Sequence, residues 1–76
     1  MELFEVLSPK DVIVYTSESI LSFWKPGTKT VEVFRFFDDE GWQNITTLEL
    51  CFDIFDDAEY AVNEFLLEKR LKIKLG

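Results

Sequence analysis

Hydrophobic and polar positions alternate with the period of β-strands over much of this chain. Two early runs, residues 3–7 and 12–16, are rich in branched and aromatic side chains and predict strands. Residues 30–37 predict another strand, with Val31, Val33 and Phe37 on one face and Glu32, Phe34 and Phe36 on the other. Residues 45–55 alternate most clearly, with Leu48, Leu50, Phe52 and Ile54 on one face and Thr47, Glu49, Cys51 and Asp53 on the other.

Turn residues separate these runs. Residues 8–11, 25–27 and 38–41 each combine Pro, Gly or short polar residues, and the last of them predicts a hairpin loop. Residues 17–24 stay ambiguous, because they could extend the preceding strand or form one helical turn that begins with a hydroxyl cap.

The C-terminal third predicts a helix and a final strand. Asp56 is the expected cap, and Glu59 follows three positions later. Apolar residues recur at helical spacing from Ala58 to Leu66, and the predicted helix ends at Arg70. Residues 71–75 alternate as a strand whose lysines would protect a sheet edge. The order β-β-β-β-α-β predicts a small α+β domain, in which a mostly antiparallel sheet of about five strands is covered on one face by one helix.

Composition supports one folded domain over residues 1–76. A chain of 76 residues buries only about 60% of its extended surface, so its core must be dense. The composition, 47% hydrophobic with eight Phe and two Trp, supplies that core.

The net charge of −7 is unevenly distributed. Residues 1–37 carry five acidic and four basic side chains, residues 38–68 carry ten acidic and no basic ones, and residues 69–76 carry four basic and no acidic ones. Because apolar residues interrupt the acidic segment, we expect a folded element with an acidic face rather than an acidic tail.

This charge excludes some function classes. A net charge of −7 argues against direct binding of nucleic acid, whose phosphates need Lys and Arg, and equally against binding to an anionic membrane. No apolar stretch approaches the roughly 20 residues of a membrane span, and no basic segment typical of a signal peptide precedes residue 5. With Cys51 as the sole cysteine, no internal disulfide can form, and we expect a cytoplasmic protein.

Catalysis is not expected either. The chain has no His, and Cys51 lies in a predicted strand with no base nearby in sequence. The carboxylate pairs at 38–39 and 56–57 are typical of solvated turns and helix starts, although two carboxylates can divide acid and base roles. No calcium loop, zinc ligand set or glycine-rich phosphate loop is present, so we expect no metal and no cofactor.

Binding to a basic protein surface is the function class that the composition still favours. Side chains on one face of a strand recur about every 6.6 Å, whereas successive phosphates of one DNA strand advance about 3.4 Å along the axis. Outward acids of a strand, such as Glu49 and Asp53, could therefore lie near the positions of every second to fourth phosphate. The simpler alternative is an acidic face that only keeps the protein in solution.

A short segment sharpens this expectation. Glu18-Ser19-Ile20-Leu21 follows the apolar run at 12–15 and resembles the Glu-Ser-Ile segment of the phage uracil-DNA glycosylase inhibitors, which are small acidic DNA mimics. The resemblance implies that Glu18 and Ser19 replace phosphate contacts in the enzyme's groove, with Ile20 and Leu21 at the edge of an apolar contact. It also implies an apolar pocket between sheet and helix that captures a loop of the enzyme.

The aromatic residues exceed what one face of the predicted sheet needs. Phe34 and Phe36 lie opposite Val31 and Val33, so both faces of their strand are apolar. The second face is then covered by the N-terminal strands, forms a homodimer, or binds a partner.

We therefore expect a host-defence evasion protein of phage type that inhibits uracil-DNA glycosylase in an infected bacterium. The alternatives are a DNA mimic that blocks a restriction or CRISPR nuclease, and an antitoxin-like regulatory domain that uses its aromatic face. The expected partner-binding residues are Glu18, Ser19, Ile20, Leu21, Asp38, Asp39, Glu40, Glu49 and Asp53.

Overall fold

Consecutive strands pair as an antiparallel meander in the computed structural model, which describes residues 8–71. The strands are β1 (Val12–Thr16), β2 (Ile20–Lys25), β3 (Thr30–Phe37) and β4 (Gly41–Glu49), and the helix α1 (Phe55–Glu68) contacts β1, β2 and β3. The α+β class is confirmed, with four strands in residues 8–71 instead of about five. The strand predicted at residues 3–7 lies outside the described residues. Of the strand predicted at residues 71–75, only Leu71 is described, and it lies in a bend after the helix.

The ambiguous segment 17–24 contains a hairpin loop and a separate strand. Ser17 N donates to the Ile20 carbonyl at 2.8 Å, and Ser17 Oγ accepts from Ile20 N at 3.2 Å, so the chain reverses between β1 and β2. Ile20, Leu21 and Phe23 are all buried because β2 lies inside the sheet with both faces covered. An apolar run of this kind has no alternation that could identify it as a strand.

The other two connections are the predicted turns. Residues 26–29 join β2 to β3, with Gly27 at φ 94° and Lys29 at φ 58°. Residues 38–40 join β3 to β4, and Gly41 follows at φ 77°. The left-handed backbone at Gly27 and Gly41 suits glycine, because no Cβ opposes a positive φ.

Both faces of the sheet contribute to the hydrophobic core. On the helix side, buried residues of β2, β3, α1 and the segment after β4 form one cluster: Ile20, Val31, Val33, Leu50, Ala58, Val62 and Leu66. On the other side, Leu21, Phe23 and Phe34 form a second cluster, against which Trp42 packs. The rings of Phe23 and Phe34 stack with centroids 5.5 Å apart. The prediction that both faces of β3 are apolar is confirmed by the burial of Val33 and Phe34 on opposite faces.

The predicted strand at 45–55 is wrong at both ends. β4 begins at Gly41 and ends at Glu49, after which Leu50 N donates to the Lys29 carbonyl at 2.8 Å. Leu50 is buried, but Phe52 and Ile54, which were expected on the same face as Leu50, are 67% and 48% exposed. The alternation in sequence continues past the point where the chain leaves the sheet.

The start of the helix also differs from the prediction. α1 begins one residue before Asp56, and its N-cap is Ile54. No side chain of residues 8–71 caps it, so the capping role predicted for Asp56 is wrong. Asp56 and Asp57 instead lie in the first turn, where negative charge stabilises the helix dipole. Asp57 Oδ2 accepts a hydrogen bond from Phe52 N at 2.9 Å, which ties the preceding loop to the helix.

Candidate acidic binding surface

The meander places two acidic loops at the same end of the sheet. The β1–β2 loop carries Glu18 and Ser19, and the β3–β4 loop carries Asp38, Asp39 and Glu40. These five residues are all exposed, and together they form the acidic end of the protein. In an antiparallel meander the first and third connections lie at one end and the second connection at the other.

A backbone hydrogen bond joins the β1–β2 loop to β3, close to the start of the β3–β4 loop. Phe36 N donates to the Ser19 carbonyl at 2.8 Å, which extends the pairing of β2 with β3 by one residue beyond Ile20 and Arg35. The β3–β4 loop is closed by Glu40 N, which donates to the Phe37 carbonyl at 3.2 Å, and by Gln43 Nε2, which donates to the Glu40 carbonyl at 3.1 Å. The carboxylates therefore extend from fixed backbone.

Within residues 8–71, no ion pair compensates the charge of the acidic end. Among residues 8–71, the ion pairs join Lys25 to Asp11 at 3.0 Å and to Glu32 at 3.6 Å, and neither involves a carboxylate of the acidic end. The nearest base in sequence is Arg35, whose guanidinium lies over the Phe37 ring at 5.2 Å from its centroid. Four carboxylates close together create a negative potential that attracts a basic partner.

Glu49 and Asp53, which were predicted to belong to the same surface, lie elsewhere. Glu49 ends β4, whose eight residue steps from Gly41 extend about 26 Å at about 3.3 Å per step. Asp53 belongs to the loop after β4, and it contacts the β2–β3 turn at the opposite end of the sheet. The predicted set of acidic residues is therefore divided between two ends of the molecule.

Asp53 has a structural role that the sequence did not indicate. Trp24 Nε1 donates to its Oδ1 at 2.8 Å, Gly27 N donates to Oδ2 at 2.5 Å, and Lys29 N donates to Oδ1 at 3.2 Å. The bond from Trp24 lowers the pKa of Asp53 most, and the two backbone bonds and the Lys29 charge lower it further against a smaller opposing effect of burial. This carboxylate fastens the loop before α1 to the β2–β3 turn.

Ile20 and Leu21 do not belong to an accessible surface. Their side chains are 2% and 7% exposed and lie in the two hydrophobic clusters on opposite faces of the sheet. A partner cannot reach them without unfolding β2. Of the Glu-Ser-Ile-Leu segment, only Glu18 and Ser19 remain available for contact.

An apolar groove lies at the end of the sheet opposite the acidic end. Its volume is about 480 Å³, and it is formed between the segment that leaves β4 and the first half of α1. The residues that line it are Glu49, Leu50, Cys51, Phe52, Asp57, Tyr60 and Ala61. Phe52 and Tyr60 are 67% and 69% exposed and line the same groove, and contiguous exposed apolar surface is typical of interaction sites. The residues of this groove were not predicted from the sequence, because Phe52 was expected on one face of a continuous strand with Leu48, Leu50 and Ile54.

The described residues were also compared with the requirements of a metal site, a reactive thiol and a membrane span. No group of three or more His, Cys, Asp or Glu within this range is arranged to hold a metal ion. Cys51 is a free, exposed thiol on the groove. No helix in the described part of the chain is long and apolar enough to cross a membrane.

Similarity to known proteins adds no family to this description. Comparison of the chain with protein-family models, with curated proteins and with solved structures found no match.

Proposed function

We propose that this protein is a DNA mimic that inhibits a DNA-binding enzyme by placing its acidic end in the enzyme's basic groove. The first target to test is uracil-DNA glycosylase, and the setting is the cytoplasm of an infected bacterium. The observation that carries the proposal is the juxtaposition of Glu18 and Ser19 with the three acids of the β3–β4 loop, which are exposed and fixed to one backbone frame. No catalysis is involved.

The spacing of the acidic end suits this role. Neighbouring strands lie about 4.8 Å apart, so the β1–β2 and β3–β4 loops, which are centred two strand spacings from each other, are separated by about 10 Å. Phosphates of one DNA strand advance about 3.4 Å along the axis, so this separation corresponds to about three phosphate steps. A groove that binds phosphates through Lys and Arg would be steered towards these carboxylates over long range.

The resemblance to glycosylase inhibitors also implies an apolar pocket between sheet and helix. The groove lined by Phe52 and Tyr60 lies between the end of β4 and α1, which supports this part of the proposal. Because the groove and the acidic end are about 26 Å apart along β4, one enzyme must span that distance to contact both. An interface of standard size, about 800 Å² per partner, is roughly 30 Å across and can do so.

The proposal is tested by a uracil-excision assay with two matched variants. In the first variant, Glu18→Gln, Asp38→Asn, Asp39→Asn and Glu40→Gln neutralise the acidic end. In the second, Asp56→Asn, Glu59→Gln, Glu64→Gln and Glu68→Gln neutralise four exposed acids of α1. Both variants lose four negative charges, so a difference between them reports position and not net charge.

We expect one equivalent of the unaltered protein to block excision, and the acidic-end variant to require at least about tenfold more protein than the helix variant, since one lost charge-assisted contact already costs about tenfold. Equal loss in both variants would contradict a localised site. Full excision with the unaltered protein would exclude the glycosylase. A restriction or CRISPR nuclease blocked under the same conditions would then identify the other class of target.

A further inference from the structure

An aromatic pair lies directly beside the acidic loops on the sheet face opposite the helix. Phe36 and Trp42 face each other across β3 and β4, with ring centroids 5.5 Å apart in an edge-to-face arrangement. Phe36 is 40% exposed, and Trp42 packs against the second hydrophobic cluster while remaining partly exposed. The turn of residues 38–40 connects the two strands immediately beyond this pair.

The same hairpin already holds one guanidinium against an aromatic ring. On the other face of β3, the Arg35 guanidinium lies 5.2 Å from the centroid of the Phe37 ring. Aromatic faces attract cations electrostatically, and arginine makes this contact more often than lysine does. The pair on the opposite face combines exposed aromatic surface with the carboxylates of the adjoining turn.

We propose that the acidic end selects arginine over lysine side chains of its partner, and that it holds a guanidinium against Phe36 and Trp42 while the carboxylates of residues 38–40 accept its hydrogen bonds. This inference rests on the proposed function, since it assigns the chemistry by which the acidic end recognises a DNA-binding surface. Arginine fits because its planar guanidinium stacks on rings, pairs with a carboxylate through two bonds, and is more weakly hydrated than the lysine ammonium.

The test compares two synthetic peptides of equal charge, hexa-arginine and hexa-lysine, by calorimetry at matched low salt. We expect the unaltered protein to bind hexa-arginine about two- to fivefold more tightly, the size of one exposed cation–π contact. In nitrogen–proton NMR spectra of the same titration, the indole signal of Trp42 should shift with hexa-arginine. The indole of Trp24, which donates to Asp53, should not.

Phe36→Leu should remove the preference for arginine while the affinity for hexa-lysine stays the same. Phe52→Leu, at the other end of the sheet, replaces an exposed Phe in the same way and should keep the preference. Equal affinity of the unaltered protein for both peptides, or an unmoved Trp42 signal, would overturn the arginine inference even if Phe36→Leu failed to fold. Inhibition of the glycosylase would still stand in that case, because the excision assay measures it separately.

Discussion

Replacing Ser22 with alanine should stabilise the protein. Ser22 lies in the middle of β2, it is fully buried, and its hydroxyl has no hydrogen-bond partner among residues 8–71. Its neighbours across the strands are Tyr15 and Val33, and it lies on the face that α1 covers. A buried hydroxyl without a partner loses its bonds to water on folding and gains none in return.

The size of the effect follows from two opposing contributions. An unsatisfied buried hydroxyl costs about 1–3 kcal/mol of folding free energy. Removing it leaves a void of about 15 Å³, roughly one probe sphere, which costs about 0.4 kcal/mol at about 24 cal/mol per Å³. The net gain is about 0.5–2.5 kcal/mol, and its central value of about 1.5 kcal/mol raises Tm by about 6–12 °C in a domain of this size.

Urea unfolding followed by tryptophan fluorescence measures this gain. Ser22→Ala should move the midpoint to higher urea with an unchanged slope, since the surface exposed on unfolding stays the same. Ser19→Ala is the matched control, because Ser19 is exposed and the same substitution there should change stability by less than about 0.5 kcal/mol. A Ser22→Ala protein that is less stable than the unaltered one would show that the hydroxyl is bonded in solution.

Three further substitutions test the core, the loop before α1 and the acidic end. Phe34→Ala removes a 2% exposed ring from the second cluster and should cost about 3–5 kcal/mol in urea unfolding. Asp53→Asn should make the free energy of unfolding depend less on acid. Because folding lowers the pKa of Asp53 below its usual 3.8, its carboxylate stabilises the fold fully above pH 3.8, and this stabilisation is lost as the pH falls through the lowered pKa. Urea midpoints of both proteins at pH 6 and pH 3 measure the difference. Glu18→Ala should leave the urea midpoint unchanged and slow association with the target, which stopped-flow fluorescence measures.

Each of these expectations has a result that would refute it. A near-neutral Phe34→Ala would mean that the second cluster is not part of the folding core. An Asp53→Asn protein as acid-sensitive as the unaltered chain would show that other carboxylates control that response. Unfolding of Glu18→Ala would assign Glu18 a structural role in its loop.

The sequence predicted those parts of the fold that depend on local chemistry. Pro26 and Gly27 mark the β2–β3 turn, Gly41 marks the end of the next loop, and a helix was expected close to Phe55. In each place the residue types restrict the backbone locally, so neighbouring residues suffice to predict the structure. The start of β2 lacked such a signal, because burial on both faces removes the alternation that identifies a strand.

The site was predicted only in part, because its geometry depends on distant pairings. Glu18 and the turn after Phe37 lie at the same end of the sheet because the strands form a meander. This arrangement could be predicted only if β2 were recognised as a separate strand. The role of Asp53 depends on Trp24, 29 residues away, and no local pattern indicates such a bond. The exposure of Phe52 follows from the end of β4 at Glu49, where the alternation in sequence continues but the sheet does not.

Displacement of DNA from the glycosylase tests the central claim most directly. A fluorescently labelled uracil-free duplex is bound to the enzyme, this protein is added, and the anisotropy of the label is measured at several duplex concentrations. If the acidic end occupies the DNA groove, the duplex is fully displaced, and the midpoint rises in proportion to the duplex concentration. A ternary complex in which the duplex stays bound, or an anisotropy that does not change, would contradict the claim that this protein acts by imitating DNA.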